Sequence, residues 1–503
     1  MNLIAWARPV WQVLAGLCLI LSLSGCEKAV DSTIRFGLAS APISLDPRYA
    51  TDATSSRINR LLFQRLVDFD NAFVPTPSLA DWEIINSTHY RFRLRDNKQS
   101  FVNGKALTTR DVEATYAYIL DPANASPHRG SLNLIQEIRV IDDQQIDFYL
   151  KRPDPLFPGY LVIGIVPASY IQSETNSRKT AIGSGAFELV NWPSSDRLMI
   201  QRRSDKQRIE FIHVQDATVR VLKLLRGEID LLQNDLPKEL VHYLENEDEI
   251  IVKHLAGTNF TYMGFNLKDP LLAKKQIRTA IAHAIDKQAI IEYLLGGETK
   301  IANTLLTPDH WAGLKTATPY SFDPELSREL LQSIGYSLAK PLELEYKTSS
   351  DPFRIRIATI IQQQLAEVGI KVKIRSFDWA TFYGDIKNGR FQLYSLSWIG
   401  IKNPDIFRYV LHSDSTPPKG ANRGYYHNEE VDRVLDEIEL TQEQSKRIEL
   451  YQKLQQIVLQ DLPFVPLWYE EHFLAANKSI QGYHLVRDGN YDGLLTINKQ
   501  QDQ

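Results

Sequence analysis

Two cysteines among 503 residues cannot build a disulfide framework or a four-cysteine zinc site. Charge of one sign is not in excess either. The chain has 57 Lys and Arg against 61 Asp and Glu, a net −4, so it lacks the basic surplus of a nucleic-acid binder. Beyond residue 26 no apolar run reaches the roughly 18 residues that a membrane span needs. Several catalytic signatures are missing: His-Glu-x-x-His, Gly-x-Ser-x-Gly, and a phosphate loop ending in Gly-Lys-Ser/Thr. Gly183-Ser184-Gly185 lacks the third glycine of a dinucleotide fingerprint. The 11 histidines are scattered, and His412 and His427 do not have the spacing of a metal clip. Carboxylates are plentiful, but a hydrolase would rest on their number alone. What remains is 43% hydrophobic and 23% charged, the composition of a globular chain. Its length allows two to four domains with sizeable cores.

The N-terminus carries one basic residue, Arg8, before an apolar run from Val10 to Leu23. At about 14 residues the run is too short to span a bilayer and fits a secretory signal. It ends in Leu23-Ser24-Gly25-Cys26, which resembles a bacterial lipobox. The resemblance implies that residues 1–25 are removed and that Cys26 is acylated. Cys18 then leaves with the signal, and neither a disulfide nor a free thiol remains. Glu27 is not the aspartate of an inner-membrane retention signal, so either membrane stays open.

Short strands and helices alternate along the rest, which predicts an α/β protein. Thr33–Leu38 is rich in strand formers, and Tyr90–Arg95 alternates apolar with basic residues as a half-buried strand does. Thr108 or Thr109 can cap a helix that runs to Leu120 and stops at Asp121-Pro122. Asp323-Pro324 opens another, which runs towards Gly335. Between Phe353 and Val368 apolar residues recur at helical spacing; Gly369 ends that helix, and Ile370, Val372 and Ile374 alternate with Lys371, Lys373 and Arg375. This helix–glycine–strand run is half of a βαβ unit, and its basic face reads as solvated surface or as an anion site. Amphipathic helices are expected near 430–440 and 443–460, the second ended by Leu462-Pro463. Trp379, Phe382, Tyr383, Phe391, Tyr394 and Trp398 crowd one stretch, as core or as the apolar lining of a ligand cleft.

Ala41-Pro42-Ile43-Ser44-Leu45-Asp46-Pro47 resembles the opening of the family 5 extracellular solute-binding proteins, the peptide, dipeptide and nickel receptors of ABC importers. The likeness continues in order. Pro77–Trp82, Tyr90–Arg95, Asn103–Val112, Ile182–Phe187, Leu225–Asp230, Ile277–Lys287 and the run ending at Ile374 each resemble a family segment. Each is weak alone, and their shared order over residues 33–485 is specific.

The resemblance implies a type II periplasmic-binding-protein fold, two lobes with mixed sheets plus an extra subdomain. By position, 31–57, 176–265 and 470–500 would form lobe I, 58–175 the subdomain and 266–469 lobe II, with a hinge strand in Phe260–Asn266. It implies no enzyme activity and no cofactor. The implied protein is a monomer, lipid-anchored through Cys26 on the periplasmic side of a membrane. It would bind a peptide or peptide-like solute and deliver it to an ABC permease and ATPase complex. The segments lining the cleft would be Thr51-Asp52-Ala53, His128, Phe265-Asn266, Trp379, Ser397-Trp398-Ile399-Gly400, and Lys402. One departure stands out. Peptide-binding members carry an acid after the tryptophan that anchors the α-amino group; Ser397–Pro404 is one residue shorter and has none. Lys402 could attract an anion there or point to solvent, and Asp405 stands in a shifted position. A metal chelate, haem or opine stays open as ligand, the metal version motivated by His128, His412 and His427. So does a signalling receptor.

Overall fold

The computed structural model describes residues 32–95, 99–171, 180–317 and 320–500. The expected signal segment, Cys18 and Cys26 lie outside these residues. Among the described residues no helix is long and apolar enough to cross a membrane.

One large mixed sheet organises the chain. Its main strands are β1 (Ile34–Leu38), β2 (Phe187–Ser194), β3 (Arg197–Arg202), β4 (Arg208–His213), β5 (Leu231–Gln233), β6 (Ile250–Phe265), β7 (Leu342–Ser349), β8 (Ile370–Phe377), β9 (Leu393–Trp398) and β10 (Phe464–Asn477). They lie in the order β8-β7-β9-β6-β10-β5-β1-β4-β3-β2, and the short strand Lys300–Ile301 also pairs with β10. The order separates two halves. The first holds β5, β1, β4, β3 and β2, packed on a core around Phe36, Ile58, Phe211 and Leu231. The second holds β8, β7 and β9, packed on a core around Ile281, Tyr346, Ile361 and Leu393. β6 and β10 belong to both. They pair antiparallel from Ile250–Asn477 to Gly264–Phe464, and the register breaks between Ala256 and Asn259. That irregularity lies just before the expected hinge segment Phe260–Asn266.

A third core has its own four-stranded sheet, from Ala80–Asn86, His89–Leu94, Gln145–Leu150 and Ile135–Val140 in that order. Its centre is Tyr90, Phe92, Tyr116 and Phe148, all fully buried. The sequence period produces this layer: in His89–Leu94 the residues Tyr90, Phe92 and Leu94 point inwards and alternate with polar ones.

Local rules hold at several element ends. The helix Thr109–Leu120 starts with a capping box, in which Asp111 accepts from the Thr108 backbone. Helix α2 (Pro352–Glu367) has Asp351 as N-cap, accepting from the Arg354 N–H, and Pro352 in its first turn. Gly369 follows at φ +92°, a left-handed turn that a side chain would strain, and leads into β8. The expected helix–glycine–strand unit is therefore present as β7-α2-β8 with parallel strands. Its basic face is solvated surface: Arg375 and Lys371 pair across the strands with Glu345 and Glu343. Gly183 and Gly185 serve close packing: a Cβ on Gly183 would sit 1.8 Å from the Leu62 carbonyl oxygen.

Ile361 is fully buried between α2 and the sheet. Ile361→Ala should cost about 2–5 kcal/mol of stability, read as a lower urea midpoint at unchanged slope. A loss below about 1 kcal/mol would mean that this helix does not anchor the second half.

Candidate functional site

β7, β8 and β9 run parallel, so Ser349, Phe377 and Trp398 end at one edge of the sheet. Helix α2 starts at that edge after β7, and helix α3 (Trp379–Lys387) starts there after β8. The two crossovers lead in opposite directions across the sheet. With right-handed connections this puts α2 and α3 on opposite faces. In open α/β sheets the crevice beyond the carboxyl ends of the strands is the usual ligand site.

On the α2 side the crevice is charged. Arg354, in the first turn of α2, keeps 38% of its side chain exposed, and both terminal nitrogens lie 3.3 Å from Glu470 Oε1. Glu470 lies on β10 where it crosses between the halves. Its Oε1 also accepts from Thr261 at 2.7 Å and Ser397 at 2.9 Å. Burial would raise the pKa of Glu470, but Arg354 and these hydroxyls outweigh it and hold the carboxyl below its usual value. Asp235 faces the same space from the first half, just after β5, with Asn234 and Asp235 both left-handed at φ +63° and +62°. Asp235 is exposed to solvent, yet protein hems it in enough to push its pKa up, against Arg57, Arg220 and Arg354. Arg57 comes from helix α1 (Ala53–Leu62) and is 8% exposed, with its guanidinium carbon 5.4 Å from the Tyr491 ring.

The α3 side is aromatic. Trp379 is 59% exposed and stacks on Tyr383 at 5.5 Å with an interplanar angle of 6°. Arg423 lies over Tyr383 at 5.4 Å and over Trp398 at 4.8 Å, and Trp398 meets Tyr409 edge-on at 6.1 Å. Arg423 donates to the hydroxyls of Tyr262 and Tyr383, each at 3.1 Å. A hollow of about 400 Å³ including its mouth lies behind Trp398, lined by Tyr262, Tyr394, Arg423 and Phe464. The crowded aromatic stretch thus divides. Phe382, Phe391 and Tyr394 are core, whereas Trp379, Tyr383 and Trp398 form a surface.

The expected site residues divide as well. Ser397 and Trp398 lie at the carboxyl edge, as do the half-exposed Ile399 and Gly400, whose N–H donates to Asn259 at 2.9 Å. Thr51 and Asp52 precede α1, where Asp52 caps the helix by accepting from Ser55, and Ala53 is its first residue. His128 bonds the Ala50 carbonyl at 3.0 Å, and burial pushes its pKa down. Phe265 is fully buried, and Asn266 donates to the carbonyls of Gly389 and Phe391. These last three hold structure together.

The expectation for Lys402 needs correction. It neither points to solvent nor has charge to spare. Its Nζ lies 2.5 Å from Asp488 and 3.8 Å from Asp68, and Asp68 is also held by Arg60 and Arg65. The loop after β9 is thereby tied to the first half and the subdomain. Asp405 is a poor anchor for an ammonium group: burial first, then neighbouring Asp154, pushes it up to about 7. His128, His412 and His427 do not converge, and no three potential metal ligands do so among the described residues. Sequence reasoning missed Arg57, Asp235, Arg354, Glu470 and Arg423. For Glu470 a signal existed, since the Glu470-Glu471-His472 run interrupts an apolar strand.

The profile of the bacterial extracellular solute-binding proteins, family 5 (middle region), matches residues 74–419. The chain belongs to this family. The dipeptide-binding protein of Escherichia coli is 23% identical, over 93% of this chain and 95% of that protein. Among solved structures, the periplasmic binding protein DppA of Helicobacter pylori, in complex with the peptide STSA, superposes with a TM-score of 0.82. It is 23% identical, covering 93% of this chain and 98% of that one. NikZ of Campylobacter jejuni, in complex with Ni(L-His), gives 0.80 at 23% identity, over 93% and 99%. The fold is the type II periplasmic-binding fold that the sequence led us to expect.

Two buried histidines make stability pH-dependent. His472 accepts from Asn234 at Nδ1 and donates from Nε2 to the Arg487 carbonyl; His310 accepts from the Ala312 N–H and donates to the Lys402 carbonyl. Burial pushes each pKa down to about 4 from 6.5. Between those values the unfolded chain binds protons that the folded one refuses, so stability falls as pH drops from about 6.5 to 4. Each histidine contributes roughly 3 kcal/mol over that window. Urea titrations at stepwise pH should show the fall, with a shallower slope in His472→Gln. A flat profile from 6.5 to 4 would refute the neutral, buried assignment.

Proposed function

We propose that this protein captures peptides or peptide-like solutes in the crevice and hands them to an ABC importer in the membrane. The reading rests on one observation: at the carboxyl edge, a half-exposed Arg354 and the carboxylates of Glu470 and Asp235 face one wet crevice between two halves. Such a crevice offers complementary charge to both ends of a zwitterion. Family membership and the peptide-binding relatives support it. Exposed strand-edge backbone and aromatic surface suit a ligand whose main chain is recognised more closely than its side chains. In this reading 31–57, 176–265 and 470–500 act as lobe I, 58–175 as the subdomain and 266–469 as lobe II. The lobes close about β6 and β10, and solute bridging them shifts the balance to the closed form.

Arg354 takes the solute's carboxylate. Incubation with a pool of tripeptides, followed by native mass spectrometry, should reveal bound peptides. Arg354→Met should weaken their binding by about 30-fold or more, because a charge partner is lost from a desolvated site. A wild-type protein that retains no peptide would end this reading.

The lipobox-like Leu23–Cys26 supports an acylated Cys26 as the membrane tether. One acyl chain holds marginally, whereas two or more anchor stably. Cys26→Ser should fold normally and move from the membrane to the soluble fraction. Continued sedimentation with membranes would contradict the anchor.

A further inference from the structure

Several well-shielded arginines in this chain bond carboxylates or backbone carbonyls. Arg60, one turn beyond Arg57 on α1, is bound by both Asp68 and Asp492. Arg202 holds Asp205 and the carbonyls of Leu494 and Ile497. Arg278 donates to four backbone carbonyls. Arg57 differs, as does Arg423, whose partners are the Tyr262 and Tyr383 hydroxyls. Arg57 is 8% exposed, and no carboxylate lies within ion-pair distance of it among the described residues. Its neighbours are the Tyr491 and Tyr483 phenols and, on the same half, Asp235.

A guanidinium has five donors and stays charged at any physiological pH, and shielding one without a carboxylate at hand is costly; the Tyr491 hydroxyl meets only part of the need. Asp235 does not meet the rest alone, since Arg220 and Arg354 also act on it. Arg354 also has Glu470 and Asp351, and Arg220 has Asp216, whereas Asp235 is the carboxylate that acts on Arg57. Arg57 belongs to the first half through α1, and Arg354 to the second through α2.

We propose that Arg57 is a ligand-binding residue: it takes a carboxylate of the bound solute from the first half, while Arg354 approaches the same group from the second. This rests on the peptide reading and sharpens it, because the solute class becomes one with an anionic group deep in the crevice. A carboxylate held by both arginines is bound fully only when the halves are closed, so its binding free energy acts on closure. Arg57 and Arg354 can fork onto the two carboxylate oxygens, which lysine in either place cannot. The carboxylate can come from a peptide C-terminus or from an acidic side chain.

Three tripeptide pools separate these sources. One has free C-termini; the second is the same pool amidated; the third has Asn and Gln in place of Asp and Glu. Competition on the full-length protein, read by native mass spectrometry, should show the wild type favouring the free pool over one of the neutralised pools by about 30-fold or more. The amidated pool identifies the terminus, and the Asn/Gln pool identifies a side chain. Arg57→Met should reduce that preference to about threefold or less, and Arg57→Lys should fall between the two. The lysine variant keeps charge and stem, so it carries the test if Arg57→Met fails to fold. Equal binding of all pools by the wild type, or an unchanged preference in the variants, would overturn the proposal and leave the peptide reading standing. If the wild type bound none of the pools, both would fall together.

Discussion

Everything in this molecule depends on a single pair of antiparallel strands that belongs to two cores at once. β6 and β10 run through both halves of the sheet, and their register breaks between Ala256 and Asn259. A continuous ladder would weld the halves together. Here the ladder is interrupted, the Thr258 N–H turns to the Arg487 carbonyl, and a second shift follows at Thr261–Tyr262. Glu470 stands opposite Asn259 at this break, bonded to Thr261 on β6, Ser397 on β9 and Arg354 on α2. The break and the charged floor of the crevice are therefore the same place. A solute that competes for Arg354 would touch the strand pair that both halves share.

The two walls of the crevice differ in kind, and the difference follows from alternation along the strands. Phe260, Tyr262 and Trp398 project to the α3 face, where rings collect; Thr261, Ser397 and Glu470 project to the α2 face, where hydroxyls and charge collect. On the ring side phenols and π faces compensate Arg423. Cation–π contacts are worth about 2 kcal/mol when desolvated, less than the several kcal/mol that burying a charge costs. On the polar side the acids are themselves desolvated, so each charge there is worth more than on an open surface. The ion network around Lys402, Asp68 and Asp488 ties the loop after β9 to the first half and uses up charges that sequence alone offers to a ligand.

Much of the fold was legible in the residues. Capping at Thr108 and Asp323, the period of Ile357–Val368, Gly369 and the alternation at Tyr90–Leu94 all specify local structure, and local structure is what short-range patterns encode. The ordered motifs carried the fold class. The site was legible only in part. Trp379, Ser397 and Trp398, placed by motif position, lie at the carboxyl edge beside the ends of β8 and β9. His128, Asn266 and Lys402 were assigned to the ligand but spend their polar atoms on their own chain. Arg57, Asp235, Arg354 and Glu470 come from four distant segments, and only the crossing of β6 and β10 brings them together. No spacing along the chain announces such a meeting.

The central claim is that the halves close about β6 and β10 when solute fills the crevice. The most direct measurement is the distance between spin labels at residues 222 and 338, exposed positions on the first and second halves. Pulsed electron resonance is recorded with and without the tripeptide pool. The account predicts a broad distribution without peptide that narrows and shifts when peptide binds. A distribution unchanged by a bound peptide would contradict it.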